Sequence, residues 1–251
     1  MTDLLLITDE AGKLLFHSRD TTIRQATQAA IATVAKENKR GLVSVGKRRA
    51  YVKEVSLQGR RHLFFLDFDR LCTRFGAAAS RAAGGLFDVE SFKGQTPREI
   101  PLKVLCRLFA EYYAEAMPNE KAYPVMHVPN KDCSVRVPLS AFTLCMTLLV
   151  RLAASKNGEV HVHFVCECGR VTVFADGDGS SLLSAGEREV LTMLLYEAGS
   201  AVGFAVESRD GKTMRTLSLS LSPFDISLLG LKTEQYAKYR NTMLYYISIF
   251  G

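Results

Sequence analysis

Residues 4–17, LLLITDEAGKLLFH, set two apolar runs on either side of Asp9-Glu10-Ala11-Gly12. The pattern predicts two short strands joined by a turn. In TTIRQATQAAIATVAKENKRG, Ile23, Ala26, Ala30, Ile31 and Val34 recur at helical spacing. That predicts a helix, with Gly41 as its C-cap after a Lys/Arg-rich end. YVKEVSLQGRRHLFFLDFD alternates about Gly59 and predicts a hairpin. Tyr51, Lys53, Val55 and Leu57 share one face; Val52, Glu54 and Ser56 share the other. Residues 70–87 are Ala-rich and read as helix up to Gly84-Gly85, while Gly94, Pro97 and Pro101 mark 88–101 as a linker.

The second half is more regular. PLKVLCRLFAEYYAEAM carries Leu102, Leu105, Leu108, Phe109, Tyr112 and Tyr113 as one stripe, which predicts an amphipathic helix stopped by Pro118. YPVMHVP and CSVRVP read as strands. LSAFTLCMTLLVRLAAS is apolar nearly all round, which predicts a buried helix with Pro138 at its start. EVHVHFVCEC and RVTVFAD read as a hairpin around Gly169, EREVLTMLLYEAG as a helix ending at Gly199, and AVGFAVES with TMRTLSLSL as a last hairpin around Asp210-Gly211. In the first of these hairpins His161, His163, Val165 and Glu167 face one way, and Val162, Phe164, Cys166 and Cys168 the other. One polar and one apolar face suits a sheet covered by helices on one side, hence an α+β fold.

Composition narrows the function only a little. The chain has 251 residues, 47% of them hydrophobic, with a net charge of +6. The basic residues are scattered. The one dense cluster, Lys47-Arg48-Arg49, reads as a solvated turn, and no basic-aromatic pattern points to nucleic acid. The start, MTDLLLITDEAGK, lacks the features of a signal peptide, and no apolar run reaches the roughly 20 residues that a membrane span needs. A cytoplasmic location is expected, with the six cysteines as thiols.

Several patterns raise the question of chemistry. The strand VTVFAD runs into Asp176-Gly177-Asp178-Gly179, a turn or a ligand loop. The loop has no closing Glu for calcium. His161, His163 and Glu167 share a strand face, a pattern that suits zinc only with a further ligand, so an exposed polar face is the expectation and no metal is expected. The segment from Lys232 to Phe250 carries Tyr236, Tyr239, Leu244, Tyr245, Tyr246, Ile247, Ile249 and Phe250; it predicts an interface or a tail packed back on the domain.

From about Asp88 to Phe224 the order of elements resembles the ATP-binding domain of sensor histidine kinases, the GHKL ATPase fold. The segments that carry it are VPNKDCSVRVPLSAFTLCMTLLVRLAASKNG, VHVHFVCECGRVTVFADGDG and GEREVLTMLLYEAGSAVGFAVESRDGKTMRTLSLSL. The resemblance implies a nucleotide site at Asp176, Gly177, Asp178 and Gly179. Asp176, or next Asp178, would read the adenine amino group. On the buried helix Arg151 or a neighbour falls where the family has the Asn that holds magnesium. Arg has five donors and no acceptor, so it cannot ligate a metal, although it can meet a phosphate. The family's glycine pair becomes Asp178-Gly179-Ser180, and the stretch in place of the nucleotide lid, SSLLSAG, has the single glycine Gly186. Residues 1–68 resemble a shortened PAS sensor domain. Residues 70–87, where such kinases carry a phosphoacceptor His, hold none, and all five histidines fall in predicted strands or loops.

The expected organisation is a PAS-like module over 1–68, a linker and residual helix over 69–101, a GHKL-like α/β sandwich with helices on one face of a mixed sheet over 102–224, and an apolar tail over 225–251. The expected role is a signal-transduction scaffold that has lost catalysis and binds a signalling protein or a second copy of itself, with no cofactor, no nucleic acid and no membrane. One alternative is a divergent kinase that still binds Mg·ATP through Asp176 and Arg151. Another is a phosphotransferase of the sporulation kind, against which the lack of a helical His argues.

Overall fold

The computed structural model describes residues 4–17, 25–80, 83, 95–118, 123–130, 133–154, 158–167, 170–176, 183–201, 205–208, 215–222 and 233–250. The turns expected at Gly169 and Asp210-Gly211, the break at Gly84-Gly85 and the loop residues Gly177, Asp178 and Gly179 lie outside them.

The first part is one antiparallel sheet. Its strands are β1 (Leu4–Asp9), β2 (Leu14–His17), β3 (Gly41–Val45), β4 (Arg48–Leu57) and β5 (Arg60–Asp67), in the order β2-β1-β5-β4-β3, with α1 (Gln25–Lys36) between β2 and β3. The β1–β2 turn closes on Asp9, whose Oδ1 accepts from the amides of Ala11 at 3.0 Å and Lys13 at 2.8 Å. Gly12 sits at φ +83°, and a Cβ there would lie 3.1 Å from Ala32 Cα of α1, so both the turn and the helix contact require glycine. The helix does not run to Gly41. It ends at Lys36, Asn38 takes the left-handed position at φ +54°, and Gly41 opens β3. Asn tolerates that conformation and ended the helix earlier than the later glycine suggested.

Strict alternation explains the apolar run Leu63-Phe64-Phe65-Leu66 on β5. Leu63 and Phe65 join Leu6, Ile31 and Val34 in a small core beneath α1. Phe64 and Leu66 point the other way, with Ile7, Phe16, Val55 and Leu57, into the main core of the second part. Both faces of the sheet are covered, which is why its central strand reads as continuous rather than alternating. The Lys47-Arg48-Arg49 cluster falls at the β3–β4 turn, where Arg49 pairs with Asp69. After α2 (Phe68–Phe75), capped by Asp67 accepting from the Arg70 amide at 3.2 Å, the Ala-rich stretch is interrupted at Gly76 by a 3-10 turn.

The second part has strands β6 (Arg98–Pro101), β7 (Tyr123–His127), β8 (Ser134–Val137), β9 (Glu159–Glu167), β10 (Arg170–Asp176), β11 (Ala205–Ser208) and β12 (Arg215–Ser222). The order is β6-β8-β12-β10-β9-β7, with β11 paired to β12. β7 is parallel to β9 and the other pairs are antiparallel, so the sheet is mixed. β6 lies within the stretch read as linker and forms the sheet edge next to β8. The helices are α3 (Leu102–Ala116), α4 (Leu139–Ala153), α5 (Ala185–Ala201) and α6 (Thr233–Phe250). Every residue of α4 is buried. It packs on β9 and β10 and is flanked by α5 and α6, so its all-round apolarity is matched by contact on all sides. The hydroxyls of Thr143 and Thr147 donate to the carbonyls of Leu139 and Thr143 at 2.7 Å, which lets two polar side chains sit in the core.

Two further boundaries, both of α5, differ from the sequence pattern. α5 does not end at Gly199 but continues to Ala201. Its start lies earlier than Glu187: Ser184 and Glu187 form a capping box, the Ser184 amide donating to Glu187 Oε2 at 2.6 Å and the Glu187 amide to Ser184 Oγ at 3.3 Å. The apolar tail is α6, which packs back between α3 and α4 and buries Tyr239, Met243, Tyr246, Ile247 and Ile249.

Candidate functional site

The nucleotide reading concerns the ends of β10 and α4. Asp176 is the last residue of β10, opposite His161 of β9. Arg151 sits in the last turn of α4 and is 7% exposed. A guanidinium carries five N–H donors and no acceptor. Position 151 thus holds a buried cation with no lone pair for a metal. Gly186, the glycine read as part of a lid, is the second residue of α5. A Cβ there would lie 3.5 Å from the Leu15 carbonyl of β2, an ordinary contact, so the position lies against the first sheet without requiring glycine.

Next to Asp176 the sheet carries a group of imidazoles that the sequence reading did not assemble. His127 of β7 lies opposite His163 of β9 in the parallel ladder. Their rings stack 4.4 Å apart at 10°, and His163 stacks in turn on Phe174 of β10 at 4.8 Å and 15°. His127 Nε2 lies 2.9 Å from His161 Nδ1, and His161 Nε2 lies 3.6 Å from Glu159 Oε2. A hydrogen bond between two imidazoles needs one N–H and one bare nitrogen, so the two rings hold one another's tautomers. Glu159 also accepts from the Tyr123 hydroxyl at 2.5 Å, which pushes that phenol's pKa up.

His161 and His163 do share a face, but His163 is turned flat against its neighbours and His161 is bonded to His127. Among the described residues no group of three His, Cys, Asp or Glu is arranged to hold a metal. The missing partner, His127, was visible in the sequence only as a strand residue, because the β7–β9 pairing is parallel and crosses α4. All five histidines of the chain lie on strands: His17 on β2, His62 on β5, His127 on β7, and His161 and His163 on β9.

No protein-family model matches the sequence, and no curated protein matches it. Solved structures of histidine kinases are similar to it. The chain is 9% identical to the histidine kinase AdeS of Acinetobacter baumannii over 53% of this chain and 73% of that one, with a TM-score of 0.39. It is 11% identical to the histidine kinase ThkA, solved in complex with the response regulator protein TrrA, over 88% and 96%, with a TM-score of 0.36. It is 12% identical to the blue-light activated histidine kinase EL346 of Erythrobacter litoralis over 87% and 94%, with a TM-score of 0.31. Among the described residues no helix is long and apolar enough to cross a membrane.

Proposed function

We propose that this chain is a signal-transduction protein of histidine-kinase-like build that works as a regulatory binding scaffold rather than as a kinase. The observation that carries the reading is Arg151. It is a buried cation in α4, at or beside the position where the resemblance calls for a magnesium-holding Asn. The placement of Gly186 inside α5 points the same way, since it leaves no glycine between residue 180 and the helix to wrap phosphates. The five strand-borne histidines add to this, because a phosphoacceptor ring must stand on a helix flank within reach of a partner.

The first part then serves as the input module. Its sheet shares a core with the second part through Phe16, Val55, Leu57, Phe64 and Leu66. A change in that sheet is felt by α5, which packs against β2 and β4. The partner is a signalling protein or a second copy of this chain.

Thermal unfolding with and without millimolar Mg·ATP tests this. A ligand at about 100 times its Kd stabilises by roughly 2.7 kcal/mol, or about 5–10 °C for a chain of this size. No shift is the expected result. A shift of that size that disappears in Asp176→Asn would establish the divergent-kinase reading instead.

A further inference from the structure

A cleft of about 580 Å³ opens on the second part where α6, the end of the 95–98 segment and the first turn of α4 meet. Its walls are Tyr239, Tyr245 and Tyr246 of α6, with Arg98 of β6, Ser140 of α4 and Asn241 at the rim among the lining residues. The volume is that of a pocket for a small organic molecule. Asp176 is not among its described lining residues.

The lining has a definite chemical character. Among the described lining residues Arg98 is the one charged side chain and none is a carboxylate. Arg98 Cζ lies 5.8 Å from the centre of the Tyr239 ring, so the guanidinium is held over a flat aromatic surface. Tyr245 and Tyr246 meet edge to face at 5.2 Å and 87°, which makes a second aromatic wall. The Ser140 hydroxyl donates to Gln95 Oε1, tying the segment before β6 to the start of α4. Leu139 and Ser140 are also the first residues of that 15-residue helix, and its N-cap, Pro138, offers no side-chain cap. The first amides have no acceptor within the helix, and the positive end of its dipole faces the cleft.

We propose that this cleft binds a small monoanion with a flat apolar body, an aromatic carboxylate. One guanidinium and one helix terminus match a single negative charge, and the tyrosine walls match a ring. A triphosphate would bring several charges to one cation. Because α6 forms a whole wall, an occupant fastens α6 to α4 and β6. The cleft gives the scaffold an input that does not pass through the first sheet, and the inference stands whether or not Asp176 takes part in nucleotide binding.

The test is isothermal titration calorimetry of the full chain with 4-hydroxyphenylacetate, its uncharged amide, and ATP. The expected result is saturable binding of the acid at millimolar or lower concentration. The amide should bind at least tenfold more weakly, and ATP should not compete. Arg98→Gln should weaken the acid at least tenfold and leave the amide unchanged. Asn241→Trp, which changes an exposed rim position and fills the cleft, should abolish binding even if Arg98→Gln impairs folding. Equal affinities for acid and amide, undiminished binding in Asn241→Trp, or no saturable binding of the acid would overturn the proposal.

Discussion

The backbone amide of Gln58 donates to Glu197 Oε1 at 2.9 Å, joining the β4–β5 turn of the first sheet to α5 of the second part. Gln58 and Gly59 both have positive φ, +50° and +74°, as a two-residue hairpin turn of this hand requires. A Gln pays a steric penalty there that Gly does not. Gln58→Gly should therefore raise stability by up to about 1 kcal/mol while keeping the amide donor. Glu197→Ala should lower it by about 0.5–1 kcal/mol. Thermal unfolding separates the two, at roughly 2–4 °C per kcal/mol.

Phe64 and Phe65 are adjacent and both fully buried, but they enter different cores. Each change to Ala should cost about 3–5 kcal/mol. Their footprints should differ. Phe64→Ala opens the seam between the two parts and should speed amide exchange in α5. Phe65→Ala should speed exchange in α1 and spare α5. Hydrogen exchange read by mass spectrometry decides this; equal footprints would mean that the two faces do not act separately.

His62 lies at that seam, 3% exposed, in a cleft shared with Asp9, Glu10, Arg60, Arg61 and Glu189. Burial pushes its pKa below the ordinary 6.5, against the opposing pulls of the Arg60 carbonyl and Asp9. As pH falls below about 6.5 the unfolded chain takes up this proton first, so the His62 contribution makes the fold less stable. The loss stops growing once pH is below the folded pKa. Melting temperatures from pH 8 to pH 5 should show a steeper fall in the native chain than in His62→Gln.

Cys133 and Cys166 have their sulfurs 3.5 Å apart and both are partly accessible, so a small approach brings them to the roughly 2.0 Å of a disulfide. Oxidised glutathione should accept the two thiol hydrogens, releasing two reduced glutathiones and leaving a Cys133–Cys166 bond. Peptide mapping should find that bond, and Cys133→Ser should prevent it. Burial pushes the thiols of Cys106 and Cys145 well above the usual range, so neither should react with iodoacetamide while the chain is folded.

The local elements were largely legible in the sequence because each carried its own period or punctuation. Asp9 and Gly12 marked the first turn, the alternation around Gly59 marked the β4–β5 hairpin, and the unbroken apolarity of α4 marked a helix with neighbours on all sides. The one-face layering of helices on a mixed sheet followed from the alternation in β9. What was not legible depended on contacts distant in sequence or on weak local competition. Asn38 displaced Gly41 as the helix end, and the Ser184–Glu187 capping box moved the start of α5 and took Gly186 into the helix. The imidazole group arose from a parallel pairing that no local pattern announces. Of the nucleotide loop, only Asp176 lies within the described residues, at the end of the strand where the sequence placed it.

The docking of α6 also orders the events of synthesis. α4 is apolar nearly all round, and among the described residues one of its sides is covered by a helix encoded some eighty residues later. While residues 233–250 are still within the ribosome, that side lacks the cover that α6 gives it. A nascent chain cut short near residue 222 should therefore be held by chaperones or degraded, and release of the last helix should be the step that commits the second part to its native state.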